Sequence, residues 1–171
     1  NSNLKNEEVA ESKSTDNCNL KSNKRNENSF ITKTSDEMCD EFIYSLEKIK
    51  KDRIKKETFI ETCEQLNTDN MFNDNRFTQL LYKYMNNDSE TIGETKNDEK
   101  YINLIRMFFM LLSSGHMVIV LSLTCLCEAI YEKTIVIVDE PEIHLHPPLL
   151  STYIRSLSFM LKKKNAVAIL A

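Results

Sequence analysis

Glycine and proline are scarce in this chain. Its 171 residues contain 2 glycines, Gly93 and Gly115, and 3 prolines. A phosphate loop of the GxxxxGKS or GxxxxGKT type requires two closely spaced glycines followed by lysine, and these two glycines lie too far apart to form one. The 171 residues therefore exclude such a loop, and their glycine count is low for a complete nucleotide-binding fold.

The cysteine pattern and the net charge exclude further classes of protein. Five cysteines are scattered without a CxxC pair: Cys18, Cys39, Cys63, Cys125 and Cys127. An odd, dispersed set is typical of reduced thiols in a cytosolic protein and not of a disulfide framework. The start is polar and rich in asparagine, unlike a signal peptide, and the net charge of −4 gives no global nucleic-acid signature. We expect a cytoplasmic protein.

One apolar stretch is long enough to cross a bilayer. Residues 107–127 span about 21 positions, close to the length of a transmembrane helix. Their centre holds Ser113, Ser114, Gly115 and His116, at the depth where polar groups are most costly. The pattern predicts two buried helices separated by a loop, and no contact with a membrane.

The chain divides into three regions. Residues 1–35 are polar, and we expect a disordered or loose segment because they bury too little apolar surface. Residues 36–100 predict a helical subdomain: one helix over 36–66, capped by Ser35 or Asp36, a second containing Phe77 to Met85, and a loop over 86–100. Thr68 or Asp69 is a candidate cap for the second helix.

A basic stretch lies inside the first predicted helix. Residues 48–56, KIKKDRIKK, carry six bases and one acid. Such a run either contacts the phosphates of DNA or forms a solvated helix face, and the second interpretation is the more common one.

The most informative segment follows in residues 101–171. Thr134 to Val138 are five β-branched residues, which predict a strand buried on both faces inside a parallel sheet. Asp139, Glu140 and Glu142 follow at once. Three carboxylates must lie at the edge of the sheet, where they suit Mg²⁺ and an attacking water. Pro147 and Pro148 then open an amphipathic helix to about residue 165, and residues 166–171 predict a second strand.

Two motifs together resemble a known family. The strand followed by DEPEIHLHP resembles the Walker B segment and following loop of ABC-type ATPases, in the branch with OLD-type and SMC-like ATPases of DNA repair and phage defence. Leu112-Ser113-Ser114-Gly115-His116 is similar to the family's signature loop. The resemblance implies an α/β fold, a partial P-loop NTPase with parallel strands and a helical insertion, in which residues 101–171 form the C-terminal half of the core.

The resemblance also implies roles for individual residues. Asp139 orients Mg²⁺ through water, and Glu140 is the general base that polarises the attacking water. Ser113, Ser114, Gly115 and His116 contact the γ-phosphate of ATP held by the opposite copy in a head-to-tail homodimer. Glu142 and His144 lie in the D-loop, at the dimer interface.

The parent protein is then expected to use ATP and Mg²⁺, with DNA and an effector nuclease or toxin subunit as further partners. Two alternatives remain open. The ATPase fold can serve only as a scaffold or regulatory module that assembles with an effector nuclease. Alternatively, Glu142, His144 and His146 can hold a transition metal, because His144 and His146 point the same way in an extended segment.

Overall fold

The computed structural model describes residues 33–70, 72, 76–87, 95–143 and 145–171, and the predicted loose segment 1–35 lies outside this range except for its last three residues. The described residues are mostly helical. Their elements, in chain order, are the helices α1 (Ser35–Lys50), α2 (Arg53–Leu66), α3 (Phe77–Asn86), α4 (Thr95–Met110) and α5 (Ser114–Ala129), strand β1 (Ile135–Val138), a 3-10 turn (Pro141–Ile143), helix α6 (Pro147–Lys163) and strand β2 (Val167–Leu170).

The prediction of one helix over residues 36–66 is wrong, because the chain breaks at Asp52. Asp52 has an extended backbone, and its carboxylate accepts hydrogen bonds from the N–H groups of Ile54 and Lys55. It is therefore the N-cap of a second helix, α2. The cap of α1 is Thr34, one residue before the predicted caps, and it forms a reciprocal capping box with Glu37.

The helical core is built around α1, which packs against α2, α4 and α5. The ring of Phe42 on α1 stacks on Phe109 of α4 with centroids 4.8 Å apart, and it lies 6.1 Å from Phe77 of α3. All three rings are fully buried. Each contributes about 1.5–3 kcal/mol relative to an exposed position, so this aromatic cluster holds three helices together.

Two helix boundaries differ from the sequence prediction. Residues 86–100 were expected to form a loop, but α4 begins at Thr95, and residues 88–94 lie outside the described range. The second helix of the subdomain, α3, begins at Phe77 without a side-chain cap. Neither Thr68 nor Asp69 therefore caps it, and the carboxylate of Asp69 contacts a distant histidine.

The stretch 107–127 divides as predicted, with α4 ending at Met110 and α5 beginning at Ser114. Within the described part of the chain, no helix combines the length and hydropathy needed to cross a membrane.

The sheet contains two parallel strands within the described residues, with Ile135 paired to Val167 and Val138 to Leu170. Helix α6, opened by Pro147 and Pro148 as predicted, connects them. The expectation that β1 is buried on both faces is wrong, because Ile135 and Ile137 are 67% and 73% exposed whereas Val136 is 8% exposed. Successive side chains of a strand point to opposite faces, so the residues that the structure describes cover one face of the sheet.

Candidate functional site

Two carboxylates lie at the carboxyl end of β1. Asp139 and Glu140 follow Val138 directly, and both side chains are exposed. The 3-10 turn Pro141–Ile143 comes next, with Glu142 also exposed. The carboxyl edge of parallel strands is where ligands bind in α/β sheets, and the predicted acids lie there together.

The backbone of Glu140 is strained and held in place. Its φ is 44°, in the left-handed region that costs a non-glycine residue about 1–3 kcal/mol. Its N–H donates to the carbonyl of Ala171 at 2.9 Å, and its own carbonyl accepts from Ile143 at 3.1 Å. The second residue after β1 is therefore hydrogen-bonded to Ala171, the first residue after β2. Strained backbone of this kind is concentrated at functional sites.

The serine loop, which comprises Ser113 to Gly115, forms the start of α5. Ser113 is the N-cap, with φ −67° and ψ 159°, and its hydroxyl accepts the N–H of His116 at 3.5 Å. Ser113 and Ser114 are exposed, and Gly115 is half-buried. The first turn of a helix presents free N–H groups and a positive dipole end, so this loop has the chemistry that favours an anion.

His116 is turned inward, away from solvent. Its side chain is 10% exposed, with Nδ1 2.6 Å from Oγ of Ser113 and Nε2 3.3 Å from Oδ1 of Asp69. The ring of Phe72 packs edge-on at a centroid distance of 5.0 Å. The imidazole is thus directed into the fold and links the serine loop to Asp69. The contact of His116 with the γ-phosphate of another copy stays a prediction.

Sequence reasoning offered Thr68 or Asp69 as a helix cap and missed this pairing. Asp69 and His116 are 47 positions apart, with Asp69 in the segment after α2 and His116 on α5. Nothing in either local pattern identifies the partner, so the three-residue chain Asp69–His116–Ser113 emerges only from the packing of the helices.

The proposed histidine metal site is described only in part. His146 is the N-cap of α6, where its Nδ1 accepts the N–H of Leu149 at 3.4 Å. His144, which was also placed in the D-loop, lies outside the described residues. Among the residues that are described, no group of three or more His, Cys, Asp or Glu side chains is arranged to hold a metal ion.

The basic stretch is largely engaged within the chain. Lys48 contacts Glu128 at 3.1 Å, and Arg53 contacts Glu57 at 3.0 Å. Lys55 donates to the carbonyl of Glu128.

Lys50 is bound to Asp98 on α4. These contacts explain the bases through helix packing without a nucleic acid, which favours the helix-face interpretation.

Comparison with known proteins identifies a phage relative. The chain is 34% identical over 121 residues to Protein ea59 of Escherichia phage lambda, a match that covers 68% of this chain and 23% of that protein. The chain thus spans about a quarter of the length of this relative. No protein-family model matches the chain, and no solved structure matches it.

Proposed function

We propose that this chain is the C-terminal half of an ABC-type ATPase head with a P-loop NTPase fold. The parent protein would bind ATP and Mg²⁺ and hydrolyse ATP at the interface of a head-to-tail homodimer. The observation that carries the proposal is the position of Asp139 and Glu140, exposed at the carboxyl edge of a parallel strand with the backbone of Glu140 held in a strained conformation.

Each acid has a distinct task in this proposal. Asp139, directly after the strand, would help to hold Mg²⁺. Glu140 accepts a proton from the water that attacks the γ-phosphate, as a general base. The metal supplies charge neutralisation on the phosphate oxygens when it is bound. The fixed backbone of Glu140 supports this role, because a general base must be held within hydrogen-bond reach of its water.

The serine loop contributes to the site of the other copy. Ser113, Ser114 and the N–H groups at the start of α5 offer donors to a phosphate held by the partner. Glu142 and His144 follow the catalytic acids and would contact the partner across the interface. In this arrangement neither copy holds a complete site, so nucleotide binding and dimer formation are linked.

The uncovered face of the sheet supports the proposal that other parts of the parent complete the fold. Ile135, Ile137, Val167 and Ile169 expose more than half of their surface on a two-stranded parallel sheet. Parallel sheets are normally covered on both faces, and two strands alone are marginal. The phosphate loop excluded from these 171 residues would then come from elsewhere in the parent. Alone, the 171 residues are expected neither to bind ATP tightly nor to hydrolyse it.

Replacement of Glu140 by glutamine in the full-length parent tests the proposal. We expect turnover to fall by about 10²–10⁴-fold, because the general base is lost. ATP should still bind and should trap the dimer, detected by light scattering. Glu132→Gln, an exposed glutamate before β1, is the matched control and should keep the original rate. Unchanged turnover in Glu140→Gln would refute the assignment.

The rival proposal is a scaffold that assembles with an effector nuclease or toxin subunit without turnover. The exposed apolar sheet face favours it equally, since a partner can cover that face. The same experiment separates the two: a scaffold forms its complex normally in Glu140→Gln and shows no ATP-trapped dimer. The family resemblance is the basis for proposing DNA and the effector as partners. It is also the basis for proposing a role in DNA repair or antiviral defence.

A further inference from the structure

The three-residue chain Asp69–His116–Ser113 connects the helical region to the serine loop. Asp69 lies after the end of α2, where its N–H donates to Leu66 at 2.9 Å. Its side chain is 15% exposed and that of His116 is 10% exposed. Both groups are thus largely removed from water, where a hydrogen bond is stronger and its loss more costly.

When the imidazole of His116 is neutral, its hydrogen-bond partners select one of its two tautomers. An ionised carboxylate only accepts hydrogen bonds, so Asp69 requires a proton on Nε2. Nδ1 is then an acceptor, and the neighbour that can donate to it is the hydroxyl of Ser113, 2.6 Å away. This assignment follows from the hydrogen-bond partners of the two ring nitrogens.

The consequence for Ser113 is that its single proton points inward. A serine hydroxyl carries one donor and two acceptor positions. The donor is directed at Nδ1 of His116, and one acceptor position receives the N–H of His116 at 3.5 Å. In this state Ser113 offers an incoming phosphate no hydrogen-bond donor from its side chain.

We propose that Asp69 is a positioning residue that keeps the hydroxyl proton of Ser113 directed at His116. Displacement of Asp69 allows that hydroxyl to donate to a phosphate. When the acceptor at Nε2 is removed, the ring can carry its proton on Nδ1 and donate to Ser113. The hydroxyl proton is then free to turn outward. This inference rests on the proposed function, since it assumes that the loop meets a phosphate of ATP.

The tautomer is tested first, on the 171-residue chain with ¹⁵N-labelled histidine. NMR distinguishes protonated Nε2 from protonated Nδ1, and His116→Gln identifies the His116 signals among the 3 histidines. We expect protonated Nε2 in the original chain and in Asp69→Asn, whose side-chain carbonyl can still accept from Nε2, and a shift toward protonated Nδ1 in Asp69→Leu. Circular dichroism reports whether each variant is folded. An unchanged tautomer in folded Asp69→Leu, or a ring protonated on both nitrogens in the original chain, overturns the role of Asp69.

The second measurement uses the full-length parent and its ATP-induced dimerisation. Asp69→Leu should lower the ATP concentration for half-maximal dimer by about ten-fold, the low end for one gained hydrogen bond to a charged group. When Ser113→Ala is also present, Asp69→Leu should no longer change that concentration. A shifted tautomer with no change in dimerisation overturns the coupling. If the original parent does not dimerise with ATP, the proposed function fails and the coupling fails with it, whereas the NMR result still stands for the tautomer.

Discussion

The ammonium of Lys50 contacts both carboxylate oxygens of Asp98, at 2.9 and 2.8 Å. The contact joins the last turn of α1 to the first turn of α4. The same carboxylate accepts from the side chain of Asn87 at 2.9 Å, and the ammonium lies 4.4 Å from the centroid of the Tyr84 ring. Three helices therefore meet at one ion pair, of which Lys50 is 15% and Asp98 29% exposed.

Removal of this ion pair should destabilise the helical region. Lys50→Ala is expected to lower the free energy of unfolding by about 1–3 kcal/mol, the range for hydrogen bonds to charged groups. Lys51→Ala, at the exposed neighbouring position, should change it by less than about 0.5 kcal/mol. Urea unfolding followed by circular dichroism measures both. Equal effects of the two substitutions would show that the Lys50 contact does not stabilise the fold.

The capping box of α1 predicts a pH dependence. Hydrogen bonds from the backbone and then from the side chain of Thr34 lower the pKa of the Glu37 carboxyl below its ordinary value. A group whose pKa is lower in the folded state stabilises the fold above its unfolded pKa and loses that contribution as pH falls through the folded value. The cap should therefore weaken at acidic pH, below about 4.5.

Thr34→Ala should raise the pKa of Glu37 part of the way back, since the backbone donor remains, and should cost about 1 kcal/mol of stability. Thr34→Ser keeps a hydroxyl and is the matched control. An NMR titration of the Glu37 side chain measures the pKa in each variant. If Thr34→Ala leaves that pKa in place, the side-chain half of the capping box is absent in solution.

Two cysteines on α5 should differ in reactivity. Burial raises the pKa of both thiols, that of Cys127 to about 12, but Cys125 is partly exposed and its hydrogen bond with Ser45 opposes the shift. Burial also raises the pKa of Cys63 strongly. Thiolate is the reactive form, so in the folded protein at pH 8 Cys63 and Cys127 should resist a thiol reagent.

Mass spectrometry after a timed exposure to iodoacetamide tests this order. Cys125 is the internal comparison, and we expect it to be modified before Cys127. In guanidinium chloride both positions should react at similar rates, because burial is lost. Modification of Cys127 as fast as Cys125 in the native protein would contradict the packing of α5 against α1 and α2.

The order of elements at the end of the chain was predictable from local patterns. The β-branched run, the two prolines and the small-residue segment identify β1, α6 and β2, and the parallel pairing of the two strands agrees with the predicted strand–helix–strand unit. The polar residues around Ser113 likewise identify the break between α4 and α5. Each of these signals is contained within a few neighbouring residues, so no knowledge of tertiary packing is needed.

Other features depend on residues far apart in sequence. Asp52 lies in a charged stretch whose helical spacing continues across it, so the cap and the break were missed. The link from Asp69 to His116 depends on how α2 and α5 pack. For β1, the apolar run predicted two covered faces, and the structure covers one. The sequence of a strand indicates the surroundings for which it is suited, and the described residues supply them on one face of β1.

The uncovered sheet face gives the final prediction. Ile137 is 73% exposed, so Ile137→Arg in the 171-residue chain should change the free energy of unfolding by less than about 0.5 kcal/mol. In the full-length parent the same arginine would be buried against covering elements, and an unpaired buried charge costs several kcal/mol. Thermal unfolding of both proteins should therefore show a large loss in the parent alone.

Ile54→Arg is the matched control, because Ile54 is 65% exposed on α2, away from the sheet. It should be tolerated in both proteins. If the parent accepts arginine at Ile137 as readily as at Ile54, the apolar face is not covered by the rest of the polypeptide. The sheet edge that presents Asp139 and Glu140 would then belong to a two-stranded unit without a phosphate loop beside it, and the proposed ATPase site would lose its structural basis.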